Sequence, residues 1–447
     1  MMTTTRSFYI ATVALAAFIG AAATNSLYAL AVVAIIGLAG LFALPRHLLP
    51  SLALIAFAVL PIGYLSQVPF AVGRYVTPPV VILVVWVFRS IGTRTGHRPA
   101  QLWTVLSILS LTWFVYSALT SIDPLKSAMW VVSFAVLVVF VGRLGFESEP
   151  QTAPALVQTW LWLGVALGSF GLAEGVTGTS LLGRVFVAAD GGFEDRWSVH
   201  RITTLLGHPL MNGTFFAVTA TLSAFVAFQA RSRLAVASAL LSSASVAFTV
   251  SRSATLALVV GVAAGIVLLL ANREQSFGKK LGVSALVVVG AAVLLSSPLL
   301  AERSDSVEGA SSSQYRETVL DTALGLAEED NYLGSGIGTS NIRSVAAGSQ
   351  FTIENSYLGL LTSAGVPGLL FVSGFLLVAI YTAIRRNRVP AAAALVTYGV
   401  VAAGWPMWEN VPGAFVIESA LLIVAFSSGS GEGKEASTSR RRVEVSR

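Results

Sequence analysis

Cysteine is absent from this sequence, and charged residues are scarce. The absence of cysteine excludes disulfide bonds, iron–sulfur clusters, thiolate zinc sites and cysteine nucleophiles. The four histidines form no HExxH motif, so the sequence predicts no metal site built on histidine. Charged residues make up 11% of the 447 residues, whereas soluble domains carry about 25%. The shortage of charge therefore excludes a soluble globular protein.

Apolar and small residues are abundant where charged residues are scarce. Hydrophobic residues make up 55% of the sequence, and glycine occurs 40 times. Only lipid can solvate so much apolar surface, and small residues let membrane helices pack closely. Because a helix crosses a bilayer with about 20 apolar residues, we predict an all-α polytopic integral membrane protein with about fourteen spans, or about twelve if the first and last pairs are miscounted. The predicted spans are 7–25, 27–45, 48–66, 77–93, 102–121, 127–145, 155–173, 210–229, 234–251, 253–271, 281–300, 356–384, 390–405 and 411–427.

The basic residues predict the orientation of these spans, because cytoplasmic loops carry an excess of lysine and arginine. With the N-terminus in the cytoplasm, most of the 28 basic residues fall on the inner side, and both termini are cytoplasmic. Membrane topology thus accounts for the net charge of +6, without nucleic-acid binding. Two long loops, 174–209 and 301–355, then lie on the outer side. Residues 428–447 form a polar basic tail that we expect to be disordered.

Polar residues gather at four places in the sequence, all predicted to lie on the outer side. Long loops between otherwise tight hairpins often carry function. We therefore expect a functional site to be built from these four clusters. In chain order they are 201–212, Ser251–Ser253, Tyr315–Glu317 followed by Gly334, Gly336 and Gly338, and Glu354–Tyr357.

Arg252 gives the sharpest signal, because it stands between two apolar spans with no acid nearby in the sequence. Such an arginine is costly unless it finds a partner. It either binds an anion, or extends to the membrane surface and marks a turn. Arg201 and Arg316 are weaker candidates, since an arginine in a loop is usually solvated. Together the three arginines can supply forked donors to a diphosphate.

Glu354 stands at the mouth of a span and is a candidate general base. Partial burial would raise the pKa of its carboxyl into a useful range, but an ordinary acid at a helix N-terminus fits the position equally well. His208 is either a base or a turn residue that contacts backbone. Gly334, Gly336 and Gly338 follow no strand, so they predict a tight turn, or a loop edge near a substrate, rather than a nucleotide-binding loop.

The second long loop contains a helical pattern. Tyr315, Val319, Ala323 and Leu326 recur at helical intervals, and charged residues lie off this apolar stripe. We expect an amphipathic helix that lies on the outer membrane interface. Further along, Glu409 stands in another outer polar stretch, which fits a polar turn beside an aromatic belt.

The four clusters, in this order, resemble the motifs of the O-antigen ligase and polysaccharide polymerase (Wzy-like) superfamily of bacterial membrane glycosyltransferases. The resemblance covers residues 200–375, and the chain before it resembles the family only as a run of helices. Thr204 and Leu210 stand where the family often has glycine and asparagine, and Glu354 stands where the ligases have a histidine. The matching residues are Arg201, Gly207 and Pro209; Ser251 and Arg252; Arg316 with Gly334, Gly336 and Gly338; and Asn355 with Gly365 and Gly368.

The resemblance implies a glycosyltransferase of the bacterial cytoplasmic membrane that uses neither a metal nor a cofactor. Its donor would be a glycan on undecaprenyl diphosphate at the outer face, and its acceptor a glycan or lipid-glycan. Direct displacement would invert the anomeric centre, and the choice between ligase and polymerase stays open. The implied roles are diphosphate binding by Arg201, Arg252 and Arg316, with Gly334, Gly336 and Gly338 beside the substrate; Glu354 or His208 as base; and Asn355 to orient acceptor or base.

Other membrane functions compete with this interpretation. A lipid-linked glycan flippase or transporter would place polar residues near mid-bilayer and often shows repeats or broken helices. A peptidoglycan-type polymerase would use an acid of the large outer loop, such as Asp305, Asp321 or Asp330. A scaffold without activity needs no cluster of outer arginines. The predicted organisation is helices over 1–173, an O-antigen ligase-like core over 174–384, further helices over 385–427 and the tail over 428–447.

Overall fold

The structure is a computed structural model that describes residues 37–60, 75–92, 101–180, 200–271, 307–349, 352–411 and 413–427. Between 307 and 317 it describes the backbone only. The described residues form helices and no strand. Six of these helices are long and apolar enough to cross a membrane, or seven if one bent pair counts as a single span. The chain is therefore an all-α polytopic membrane protein, as predicted.

The helices are numbered α1 to α15 along the described parts of the chain. Several carry proline in their first turn, where the missing N–H has no partner to lose. A short π-helical stretch interrupts α5. The bounds are α1 Gly37–Ala43, α2 Leu49–Val59, α3 Pro78–Ser90, α4 Gln101–Leu119, α5 Pro124–Gly145, α6 Thr152–Thr177, α7 Pro209–Ala230, α8 Arg233–Phe248, α9 Arg252–Ala271, α10 Val307–Glu329, α11 Ser340–Ala346, α12 Ser356–Arg385, α13 Val389–Ala402, α14 Met407–Asn410 and α15 Ala414–Phe426.

The predicted spans agree with the helices wherever both are described. The spans from 77–93 to 253–271, and the last three, each correspond to one helix within a few residues. The spans 7–25 and 281–300 and the tail 428–447 lie outside the described residues. The predicted spans 27–45 and 48–66 are described only in part. In the described part, the chain bends by 119° between Gly37–Ala43 and Arg46–Val59. The total number of spans stays a prediction.

Two helices, α7 and α15, lie inside the bundle. All 13 residues of α15 are buried, as expected only for an apolar helix that protein surrounds. The Trp103 ring lies 5.0 Å from that of Phe426, and the Trp130 ring lies 5.8 Å from that of Phe415. α7 packs against α6, α8, α9 and α13. The helices after residue 385 therefore pack directly on those that carry the sequence clusters.

The two ends of the bundle differ in chemistry. At the start of α6, Arg46 pairs with Glu149 at 2.5 Å, and Arg89 donates to the carbonyls of Leu41 and Leu44. The 26 residues of α6 carry the chain about 39 Å away from there. At its far end α6 meets the start of α7 and the α8–α9 turn. We call this far end the site end.

α12 is broken near its beginning, at Gly365, where φ is 69° and ψ is −172°. A helix break frees backbone groups that must be satisfied inside a membrane protein. The loop between α10 and α11, together with one tryptophan of α4, satisfies them and thereby fixes that loop to α12. The bonds run from Ser335 N to Thr362 O (3.2 Å), Gly336 N to Ser363 O (2.8 Å), Trp113 Nε1 to Ala364 O (2.9 Å) and Val366 N to Tyr332 O (2.9 Å).

We expect Gly365→Ala to destabilise the protein by about 2 kcal/mol or more. A β-carbon there would collide with the carbonyl of Tyr332, and the backbone angle is one that side chains rarely adopt. The thermal unfolding midpoint of the detergent-purified protein measures the loss. Gly325→Ala in α10 is the control, because nothing lies within 4 Å of the added carbon and alanine favours a helix. Equal midpoints for the two variants would contradict the role of the break.

Candidate functional site

The segment that begins at Arg201 lies against the α8–α9 turn. Arg201 is buried, and its Nε donates to the carbonyl of Thr249 at 2.9 Å. Ile202 is fully buried and donates its N–H to the carbonyl of Phe248 at 3.2 Å. These bonds place Arg201 beside Ser251–Ser253. The first and second clusters of the sequence therefore form one site.

A tight turn follows Arg201 and leads into α7. Thr204 has a φ of 40°, in the left-handed region that suits glycine, and glycine is what the resembling family often has there. The Thr204 hydroxyl contacts Asn212 Oδ1 at 2.5 Å, while Asn212 Nδ2 donates to the carbonyls of Thr203 at 2.5 Å and His208 at 3.0 Å. Asn212 thus holds the turn closed from the first turns of α7.

Arg252 is the first residue of α9 and is half-buried. Its Nε is buried and has no hydrogen-bond partner in the described part of the chain. The turn around it packs closely against neighbouring helices, because a β-carbon on Gly404 would collide with Ser253 and one on Gly213 would collide with Ala254. A buried, unsatisfied N–H of a charged group costs free energy. Arg252 therefore gains from an anionic ligand that accepts from this N–H.

His208 caps the N-terminus of α7. Its Nδ1 accepts from the N–H of Leu210 at 3.2 Å, and its ring lies nearly parallel to that of Trp405, with centroids 6.1 Å apart. Burial, and then the charge of Arg201, lowers the pKa of His208 to about 4. The ring is neutral at physiological pH and its Nδ1 is already engaged. These contacts favour the interpretation of His208 as a turn residue over that as a base.

Trp405 connects this site to the start of α12. Its Nε1 donates to Thr214 Oγ1 at 3.0 Å, and its carbonyl accepts from Ser356 Oγ at 2.8 Å. Asn355 caps α12, and its Oδ1 accepts the backbone N–H groups two and three residues further on, at 2.9 and 3.2 Å. The fourth cluster therefore lies next to the first two, with the Asn355 side chain fixed by the helix it caps.

Glu354 precedes this cap and is exposed. Its role as a general base stays a prediction. Neighbouring side chains of an extended segment point to opposite sides, and Ile353 turns inward, with 1% exposed. Docking of Ile353 therefore turns Glu354 outward, where an acceptor that arrives from solvent can reach it.

The three glycines of the third cluster pack against protein, and all have positive φ. Gly334 lies against the break in α12, and Gly336 lies against Ser121. This packing agrees with the expected tight turn. That Gly334, Gly336 and Gly338 border a substrate stays a prediction. Arg316 lies in α10, but its side chain lies outside the described residues.

One stretch of the chain, from α8 into α12, matches a known protein family. Residues 237–373 match the O-antigen ligase family. The resemblance to the O-antigen ligase and Wzy-like superfamily is thereby confirmed. This O-antigen ligase segment includes Arg252 and Glu354, whereas Arg201 and His208 precede it and join it through the contacts above. No curated protein matches the chain.

Within the O-antigen ligase segment, α10 forms where the apolar stripe predicts a helix. Val319, Ala323 and Leu326 are buried, and they pack with Ile353 and Leu358. The stripe thus holds α10 against the residues on either side of the α12 cap. Its expected position on the outer membrane interface stays a prediction.

Glu409 is a buried acid whose place the sequence did not reveal. Only 2% of it is exposed, and its carboxylate accepts from the hydroxyls of Ser340 and Ser363. Burial raises the pKa of this carboxyl, although both hydroxyls and the charge of Lys126 act in the opposite direction. Glu409 therefore ties α11, α12 and α14 together. In the sequence, Glu409 is an acid close to two tryptophans. A polar turn beside an aromatic belt explains that pattern as well as a buried acid does.

The acids that a peptidoglycan-type polymerase would use have different surroundings. Asp330 pairs with Arg343 at 3.1 Å, and Arg343 also pairs with Glu329 at 2.7 Å. The hydrogen bonds to Asp330 are the largest cause that raises the pKa of Arg343. Asp321 is exposed on α10, and Asp305 lies outside the described residues. Asp330 is thus already engaged in an ion pair.

The lowered pKa of His208 predicts how stability depends on pH. The folded protein keeps His208 neutral down to about pH 4, whereas the unfolded chain takes up this proton near pH 6.5. Between these values the unfolded state binds more protons, so His208 makes the protein lose stability as the pH falls. His208→Asn keeps a capping acceptor that does not titrate. We expect its unfolding midpoint to fall less than that of wild type over this pH range. The same change at exposed His200 should leave the fall unaltered, and equal falls in all three proteins would contradict the prediction.

Proposed function

We propose that this protein transfers a glycan from undecaprenyl diphosphate to a glycan or lipid-glycan acceptor at the outer face of the bacterial cytoplasmic membrane. The observation that carries the proposal is the unsatisfied Nε of Arg252, held beside Arg201. Arg252 begins a helix inside the O-antigen ligase segment. Two guanidinium groups near one helix end suit a diphosphate, because their forked donors match its oxygens.

The diphosphate needs its charge neutralised as it leaves. When the bond between the anomeric carbon and the diphosphate oxygen breaks, negative charge grows on the departing group, and fixed cations stabilise that charge. Arg252 and Arg201 supply these cations in this scheme, with Arg316 as the third. The N-terminus of α9 adds the positive end of its helix dipole at the same place.

The acceptor hydroxyl attacks from the side of Glu354. The carboxylate takes the hydroxyl proton, the oxygen forms a bond to the anomeric carbon, and the diphosphate leaves with the electron pair. One direct displacement inverts the anomeric centre. His208 is the second choice of base, since its Nδ1 caps α7. The amide of Asn355 orients the acceptor or the carboxylate.

The arginines at the two ends of the bundle support the proposed orientation. Arg46 and Arg89 cluster at the end opposite the site, and cytoplasmic ends of membrane proteins carry such an excess. The site end then faces outward, where a flipped lipid-linked glycan is presented. Both chain termini lie in the cytoplasm in this orientation.

A lipid-linked glycan flippase is the second candidate, and one observation favours it. α12 breaks at Gly365, and broken helices are frequent in transporters. The groups freed by this break are, however, satisfied by the loop before α11 and by Trp113. The polar cluster also lies at helix ends rather than at the middle of the bundle. Transfer therefore explains the described contacts better than transport.

Arg252→Ala should lower the rate of glycan transfer about 100-fold or more, because charge on the leaving diphosphate loses its partner. Arg252→Lys keeps the charge but loses the fork, so we expect a smaller loss. The assay uses purified protein with an undecaprenyl-diphosphate oligosaccharide and follows the products. A longer donor glycan identifies a polymerase, whereas transfer to a different lipid identifies a ligase.

Arg233→Ala is the matched control for this experiment. Arg233 is an exposed arginine at the start of α8, at the end opposite the site, and its removal should leave the transfer rate unchanged. Full activity of Arg252→Ala would overturn the mechanism. A comparable loss in Arg233→Ala would show that the assay reports insertion or folding instead.

The choice of base is tested by comparing Glu354→Gln with His208→Asn. A general base contributes about 100-fold or more to the chemical step, so kcat should fall by that amount in Glu354→Gln. His208→Asn preserves the cap of α7 and should keep most of the activity. The reverse order of losses would make His208 the base.

A further inference from the structure

Glu174 is a buried carboxylate whose contacts lie on the segment that carries Arg201. It stands in the last turn of α6 and is 0% exposed. One carboxylate oxygen accepts the N–H of Thr203 at 2.9 Å and its hydroxyl at 3.1 Å, and the other accepts the N–H of Thr204 at 3.0 Å. No step of the proposed mechanism uses this acid.

The same face of α6 also packs against Ile202, which precedes Thr203, and against the end of α8. A β-carbon on Gly171 would press on the side chain of Ile202, and one on Gly175 would collide with Phe248. Ile202 in turn donates its N–H to the carbonyl of Phe248. The end of α6 therefore fixes both the segment with Arg201 and the end of α8, from which the Arg252 turn begins.

Glu174 accepts backbone N–H groups with both of its carboxylate oxygens, which a glutamine at this position could not do. Burial of a carboxylate is costly unless hydrogen bonds compensate for the lost water. Here both oxygens accept from backbone N–H groups. Glutamine would turn an NH₂ group towards one of these N–H groups, so that two donors face each other. One of the two belongs to Thr204, whose left-handed backbone is strained unless the surroundings hold it.

We propose that Glu174 is a positioning residue that sets the guanidinium of Arg201 beside the Arg252 turn for binding of the diphosphate. This inference rests on the proposed function. Glu174 is fully buried beneath Thr203 and Thr204, and it acts on the substrate only through Ile202, the one residue that separates Thr203 from Arg201.

Glu174→Gln should lower kcat/KM for the undecaprenyl-diphosphate donor about tenfold, as expected for the loss of a hydrogen bond to a charged group. The loss should appear mainly in the donor KM, with the acceptor KM unchanged. Glu329→Gln is the matched control, because Glu329 is an exposed acid of α10 paired only with Arg343 in the described contacts. Its kinetic constants should equal those of wild type. An equal rise in both KM values of Glu174→Gln would overturn the inference.

A double-mutant cycle with Arg201→Lys separates positioning from general weakening of the fold. If Glu174 acts through Arg201, the double variant should be little worse than Arg201→Lys alone, because residues that act as one unit are not additive. Losses that multiply would overturn the inference. The cycle therefore gives a result that a purely structural role of Glu174 would not produce.

Thr203→Val provides a second, milder variant. It removes one of the three bonds to Glu174 and keeps both backbone N–H groups, so kcat/KM for the donor should fall about threefold. If Glu174→Gln does not fold, Thr203→Val tests the inference in its place. A lower kcat/KM for the donor supports the inference, and an unchanged kcat/KM overturns it. A wild-type protein that transfers no glycan would contradict the proposed function instead. Wild-type transfer with an unchanged, folded Glu174→Gln would contradict this inference alone.

Discussion

The contact between the Arg201 segment and the α8–α9 turn is the interaction on which the site depends. Two hydrogen bonds join parts of the chain that lie almost 50 residues apart and bring Arg201 to the turn of Arg252. The buried Nε of Arg252 stays unsatisfied among the described residues. A ligand that accepts from this N–H would remove the cost of burying it unsatisfied.

A second constraint comes from the break in α12. Its freed backbone groups have to bond within the protein, and the loop before α11 supplies most of the partners. Gly334 and Gly336 are needed because only glycine lets that loop come so close. The large loop is therefore anchored at the break, while α10 is anchored through Ile353. Glu354 and Asn355 follow Ile353 directly, so the second anchor also holds the start of α12 in place.

Hydropathy predicted most of the described helices, because each of these is an apolar run long enough to be recognised in the sequence. Arg252 was recognisable as a candidate, since an arginine between two apolar runs is costly unless it finds a partner. Glu174 was not, because its partners lie 29 and 30 residues away in the sequence. The direction of the Glu354 side chain could not be predicted, because it depends on how Ile353 packs. The local sequence pattern thus predicts the helices, whereas the site depends on contacts between residues that lie far apart in the sequence.

α15 has a consequence for how the protein is assembled. Its 13 residues span about 20 Å, whereas the hydrocarbon core of a bilayer is about 30 Å thick. It follows in the chain the helices α2, α5, α6, α12 and α13 that enclose it. Because α15 is synthesised after these helices, it can take its place only once they exist, beside rings such as those of Trp130 and Phe134. Among these helices α15 is therefore the last to become available, and its side chains meet protein rather than lipid.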